Sequence, residues 1–173
     1  MLFTDLRGSS RYYRDVGDAP AFGFVADHLE ALAAAVAAEG GSVVKAMGDA
    51  IMAVFATPAP AVRAAVAAQR GELRRPPLAL KAGVHAGPCI AVTQNGRLDY
   101  FGSTVNLAAR LVALSSGDDV IVSADVARDP EVAELLADGG LCGMEPLAAP
   151  LKGFEDEPVT LWRLGRALLA EPT

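Results

Sequence analysis

An α+β fold, with a ferredoxin-like βαββαβ core and extra helices and strands toward the C-terminus, is what the sequence predicts. Three observations lead there. Over the first half, strand-like and helix-like stretches follow in the order strand–helix–strand–strand–helix–strand, the split βαβ pattern. The 173 residues suit one domain with a proper hydrophobic core. Hydrophobic residues make up 52% of the chain, much of that alanine, which favours helices laid over a sheet.

Taken in order, residues 1–6 begin inside an apolar run, so a strand starts at the first residue and suggests a domain cut from something longer. Asp5 ends the run. Arg7-Gly8-Ser9-Ser10 then makes a small turn whose backbone N–H groups could hold an anion at a helix start. A plain strand-to-helix turn accounts for those residues equally well. Phe22, Val25, Leu29, Leu32 and Val36 recur at spacings of three and four, which predicts an amphipathic helix over 20–38. Pro20 stands in its first turn and Gly40-Gly41 closes it. Two short apolar strands follow, 42–46 and 50–55, joined through a tight turn at Met47-Gly48-Asp49. Turn chemistry explains the Gly and can explain the Asp. It does not explain Lys45, a lysine buried among Val43, Val44, Ala46 and Met47.

Residues 59–73 read as a second, alanine-rich helix stopped by GELRRPP. Strands are expected at 78–85 and 89–93, and Gln94-Asn95-Gly96-Arg97 carries the Asn-Gly mark of a hairpin. The return strand, 98–101, bears Asp99. Gly102-Ser103-Thr104 caps a helix running to about Leu114, and Ser116-Gly117-Asp118-Asp119 turns into a strand at 120–123. Short helical pieces at 124–128 and 130–137 precede two last strands, 141–147 and 159–164. The domain therefore covers 1–165, with a frayed tail at 166–173.

Composition narrows the functional classes. A formal net charge of −6 and a pI near 4.9 argue against a general nucleic-acid or anionic-membrane binder, while leaving room for a local cationic pocket. Cys89 and Cys142 are too few for a disulfide framework and read as small apolar fillers of a reduced compartment. The longest apolar run, 50–62, is broken by Pro58 and Pro60, so no membrane span is expected. Asp5 and Arg7 stand where a signal peptide would need its apolar stretch. A cytoplasmic location follows as the expectation.

The topology has a chemical consequence. In a split βαβ sheet the third strand runs antiparallel to the first, so the end of strand one lies beside the start of strand three. Asp5 occupies the first place and Asp49 the second. Two such carboxylates repel unless a cation joins them, and Mg²⁺ or Mn²⁺ suits oxygen ligands with sites left open for substrate phosphates. A pair of these ions about 3.5–4 Å apart serves an in-line displacement at phosphorus. Zinc is excluded for want of a Cys/His cluster: the histidines are His28, on a helix, and His85, at a strand end and read as structural.

FTDLRGSS (3–10), KAMGDAIMAVF (45–55), LDYFGSTVNLAAR (98–110) and LKGF (151–154) resemble, in order, the motifs of class III nucleotidyl cyclases. The resemblance runs from about residue 2 to 164. It implies conversion of a nucleoside triphosphate to the 3′,5′-cyclic monophosphate and pyrophosphate, by a homodimer with composite sites at its interface. Carried over residue by residue, Asp5 and Asp49 match the metal carboxylates, which implies two Mg²⁺ or Mn²⁺ per site. Lys45 and Asp99 match the base-selecting pair. Asn106 and Arg110 match the pair that orients the ribose and stabilises the transition state. Lys152 matches the lysine on the terminal phosphates, and Gly8 and Ser9 fall in the phosphate cradle. All seven side-chain positions carry the residue expected of an adenylate cyclase.

Physical chemistry points the same way. Asn106 and Arg110, four apart on one helix, project from one face, where a guanidinium meets the charge developing on the α-phosphate. Taken alone, this pair, Lys152 in its loop, and Asp99 beside Arg97 would each be ordinary surface residues. Adenine offers a donor at its amine and an acceptor at N1, and guanine presents the reverse. An accepting Asp and a donating Lys therefore suit adenine, and mismatched buried partners penalise guanine. ATP is the expected substrate. A silent cyclase-like module for dimerisation or nucleotide sensing would have lost a metal Asp or the Arg, and a diguanylate cyclase would carry a Gly-Gly-Asp/Glu-Glu-Phe hairpin, whereas Ala50-Ile51 follow Asp49. Any regulatory domain is expected elsewhere in a longer chain.

Overall fold

The computed structural model describes residues 1–70, 78–138, 141–156 and 159–166. Its strands are β1 (Leu2–Arg7), β2 (Ser42–Met47), β3 (Ala50–Val54), β4 (Ala79–Val84), β5 (Ile90–Gln94), β6 (Arg97–Phe101), β7 (Asp119–Ser123), β8 (Leu141–Leu147) and β9 (Leu161–Arg166). The helices are α1 (Ser9–Val16), α2 (Asp18–Ala38), α3 (Pro58–Arg70), α4 (Ser103–Leu111), α5 (Ala124–Ala127) and α6 (Pro130–Ala137), and α4 tightens into a 3₁₀ turn at Val112–Leu114.

Seven strands form one sheet in the order β2-β3-β1-β4-β7-β9-β8, and β5-β6 make a separate hairpin. The first four of these are the expected split βαβ core, with β1 antiparallel to both β3 and β4. Parallel β7 and the antiparallel β9-β8 pair extend it. Strand alternation sorts side chains between two layers. Leu2, Leu6, Ile51, Ala53, Leu80, Ala82 and Val84 pack with α2 and α3 residues such as Leu32, Val36, Val62 and Ala65. On the opposite face, Phe3 and Met52 meet Ala108 of α4. Gly83 lets this layer close, because a Cβ there would stand 2.6 Å from the Val112 nitrogen and 2.8 Å from the Leu111 Cβ. Only glycine admits the 3₁₀ turn, and with it α4, so near β4.

Several expectations need correction. Residues 9–16 form a helix of their own that buries no residue, so no apolar periodicity announces it. The next helix starts at Asp18 rather than residue 20. Phe22, assigned to its apolar face, is 69% exposed, and the buried stripe is Ala21, Val25, His28, Leu32 and Val36. This 21-residue helix is also long and apolar enough to cross a membrane by length and composition, contrary to the reading of the apolar runs. Alanine supplies that apolarity, and the helix packs on β2, β3 and α3. Cys89 is exposed rather than a core filler. The predicted helix end at 71–73, the GELRRPP stop and residues 167–173 of the tail lie outside the described residues, whereas Arg166, assigned to the tail, ends β9.

Candidate active site

Asp5 lies near the carboxyl end of β1, and the register Phe3↔Met52 places it beside the start of β3. There the two-residue turn Gly48-Asp49, with Gly48 at φ 69°, joins Met47 to Ala50. Burial first, then the neighbouring Asp49 charge, push the Asp5 carboxyl above its usual range, partly offset by Lys81. The Oδ2 of Asp49 is buried and has no hydrogen-bond partner among the described residues. A crowded carboxylate pair with one orphaned oxygen fits a hard divalent cation, which would relieve both. No cluster of three His, Cys, Asp or Glu exists among the described residues. The remaining ligand positions would then fall to substrate phosphates and water.

The raised Asp5 value makes a prediction. Ionised Asp5 destabilises the fold at neutral pH, and the penalty fades as pH falls through its raised folded-state value. Asp5→Asn should therefore melt at or above the wild type in EDTA at pH 7, and lack the wild type's gain on acidification. Calorimetry across pH checks this, and a clear drop in melting temperature at pH 7 would rule it out.

Lys45 and Asp99, distant in sequence, form a two-pronged ion pair: Nζ donates to Oδ1 at 2.9 Å and to Oδ2 at 2.7 Å. Oδ1 also accepts the Tyr100 N–H at 2.8 Å. Lys45 and then the Tyr100 N–H hold the Asp99 carboxyl below its usual range. The alternative partner for Asp99, Arg97, does not take it. Lys45 is not buried, however. Its side chain is 40% exposed, because β2 is an edge strand, bulged between Val43 and Lys45. The pair opens onto a cleft of about 420 Å³ that Gln94, Asn95 and Leu98 also line.

The inner face of α4 buries Thr104, Leu107, Ala108 and Leu111. Asn106 and Arg110 stand exposed on the outer face, turned from the sheet that carries Asp5. Neither makes a side-chain hydrogen bond or ion pair among the described residues. Lys152, also exposed, follows Leu151, which packs into the cluster of Leu107, Leu111, Ile121 and Leu161. That anchor sets the Lys152 loop against α4. Gly153, at φ 88°, donates its N–H to the Glu155 carboxylate at 3.0 and 2.9 Å and holds that carboxyl below its usual range. Gly8, at φ 86°, starts α1, and its carbonyl accepts from the Arg11 and Tyr12 N–H groups. Ser9 thereby falls in the first turn, where helix N–H groups are open to an acceptor. His85 is indeed a packed residue, its Nδ1 2.7 Å from Ser123 Oγ.

One cation escaped the reading of the sequence. Lys81 pairs directly across from Asp5 on β4, with its Nζ donating to the Ala113 carbonyl at 3.3 Å. Only the β1–β4 register reveals it, and no local motif carries that register.

This arrangement defines a cyclase-type domain. Residues 1–134 match the Adenylate and Guanylate cyclase catalytic domain family, and the chain belongs to it. An uncharacterized protein of Mycobacterium tuberculosis is 39% identical over 130 residues, covering 75% of this chain and 31% of its own length. An Anabaena cylindrica adenylate cyclase is 27% identical over 150 residues, covering 75% and 30%. The chain thus spans less than a third of the curated relatives it matches. Among solved structures, adenylate cyclases from Trypanosoma brucei in their monomeric state superpose with a TM-score of 0.79 at 22% identity, over 96% of this chain and 90% of theirs. The adenylyl cyclase CyaB from P. aeruginosa gives 0.73 at 21%, over 97% and 95%. A guanylate cyclase domain from Catenaria anguillulae in complex with GTP gives 0.76 at 16%, over 96% and 95%. These likenesses establish the fold, shared alike by adenylate and guanylate cyclases.

Proposed function

We propose that this domain is an adenylate cyclase, converting ATP to 3′,5′-cyclic AMP and pyrophosphate at sites shared between two copies of the chain. The observation that carries the reading is the Lys45–Asp99 pair at the mouth of its cleft. A fixed ammonium donor beside a fixed carboxylate acceptor matches the N1 and amine of adenine and opposes both groups of guanine. Divalent cations held by Asp5 and Asp49 would neutralise the phosphates and make the ribose 3′-hydroxyl a better nucleophile. Asn106 orients the ribose, Arg110 meets the charge on the α-phosphate, and Lys152 binds the terminal phosphates, with Gly8 and Ser9 offering backbone N–H groups.

Two features favour a shared site. Asn106 and Arg110 face away from their own chain's carboxylates. Of the seven large apolar side chains left exposed among the described residues, five (Val43, Met47, Ile90, Leu98 and Phe101) sit on β2 and the β5–β6 hairpin. Those are the elements carrying Lys45 and Asp99, and a second copy would cover them.

The test is cyclic nucleotide production from ATP and GTP in parallel with Mn²⁺, at high protein concentration and after dilution. Cyclic AMP with a specific rate that falls on dilution is expected. Comparable turnover of GTP would sink the base assignment. Folded protein that binds nucleotide but yields no product at any concentration would leave a silent cyclase-like module.

A further inference from the structure

Lys152 stands on the connection between β8 and β9, in neither strand nor helix, and the connection supplies its own order. The Phe154 N–H donates to the Leu151 carbonyl at 3.0 Å, and Gly153 takes φ 88°. Together these make residues 151–154 a type II turn with Lys152 and Gly153 at its corners. Both ends of the turn are anchored. Leu151 belongs to the cluster of Leu107, Leu111, Ile121 and Leu161, and Phe154 packs against it. The peptide between Lys152 and Gly153 is not held by the turn's own hydrogen bond. Types I and II carry that central peptide in opposite orientations, and glycine accepts either sign of φ. A flip there would re-aim Lys152 with both anchors still in place. Glu155 opposes it, since both of its carboxylate oxygens accept the Gly153 N–H, at 3.0 and 2.9 Å. The carboxylate is committed to the backbone: among the described residues no ion pair joins it to the Lys152 ammonium. Both side chains are exposed, so neither serves the core.

We propose that Glu155 is the positioning residue of Lys152, fixing the central peptide of the turn so that the ammonium is aimed at the terminal phosphates before the nucleotide arrives. The inference rests on the cyclase reading of Lys152. A lysine on a pre-formed turn binds without first ordering its loop, so that ordering cost no longer subtracts from affinity. Glu155 touches no substrate, and its charge by itself would repel phosphates. Geometry is what it contributes.

Equilibrium binding of a non-hydrolysable ATP analogue, and of AMP, which lacks the terminal phosphates, is measured with Mn²⁺ at high protein concentration, alongside melting curves. Glu155→Ala should bind the ATP analogue about 3–10-fold more weakly, the size expected for ordering one long side chain on binding. Its AMP affinity and melting temperature should match the wild type. Glu155→Gln, which keeps one acceptor oxygen, should recover most of the affinity. In a Lys152→Ala chain, itself weakened toward the analogue, adding Glu155→Ala should have no further effect. Tighter analogue binding by Glu155→Ala would make the carboxylate a competitor of the phosphates and overturn the assignment. Unchanged affinity, an equal loss for AMP, a Gln variant as weak as Ala, or additive losses in the double variant would overturn it too, and each leaves the cyclase reading intact. A Lys152→Ala chain that binds the analogue like the wild type overturns both, and is told apart because it fails with Glu155 in place.

Discussion

Arg110→Ala should lower the rate of cyclic AMP formation by about 10²–10³-fold, the usual cost of removing one donor from a developing oxyanion. The loss should fall on kcat, because a group that meets charge present only in the transition state adds little to ground-state binding. The fold should be untouched. Arg110 is exposed on the outer face of α4 and its helix is held by Leu107, Ala108 and Leu111 from the other side. Exposed helix positions away from special features change stability by about 0.5 kcal/mol or less. Steady-state kinetics with a melting curve checks both halves. Unchanged turnover, or a loss confined to KM, would refute the assigned role.

Mixing two dead chains should restore activity. An Asp49→Ala chain lacks a carboxylate of the crowded pair and keeps Arg110; an Arg110→Ala chain has the reverse defect. In a symmetric dimer with shared sites, each heterodimer holds one intact site and one doubly defective site. Random exchange makes half of all dimers heterodimers, so the mixture should reach roughly a quarter of the wild-type rate from two nearly inactive parents. Sites contained within single chains predict no recovery. Proven heterodimers without activity would therefore return the whole site to one chain, and α4 would have to present Arg110 inward.

How far the sequence disclosed this arrangement depends on whether the signal was local. The order of strands and helices over residues 1–85 is local, and it placed β1 against β3 and Asp5 beside Asp49. The Asn95-Gly96 turn is equally local, and both residues adopt positive φ, 53° and 74°, as a tight hairpin demands. Helix α1 is hidden because it buries no residue fully; Tyr12 packs only partly against the core, beside Phe24. Lys45 reads as a buried residue in sequence because apolar neighbours look the same on an edge strand as on a central one. Sheet order, which settles the difference, is not written in any short window. Lys81 is hidden for a related reason. It gains its meaning from Asp5, on another element, through a register that single-sequence patterns do not encode.

The position of β1 also governs how the domain comes into being. The chain's first strand is interior to the sheet, yet Leu2 pairs with Ala53 and Val84, 51 and 82 residues further along. The β2–β3 and β5–β6 hairpins can close early, since their contacts are near in sequence, whereas pairing across such intervals is slow. On a ribosome, β1 would emerge before both of its neighbours and wait for them. Meanwhile a segment carrying Leu2, Phe3 and Leu6 is open to association with other nascent chains. Asp5 and Arg7 interrupt that segment with charge, the standard brake on such association. The carboxylate assigned to catalysis thus also guards the strand it sits on before there is any site to serve.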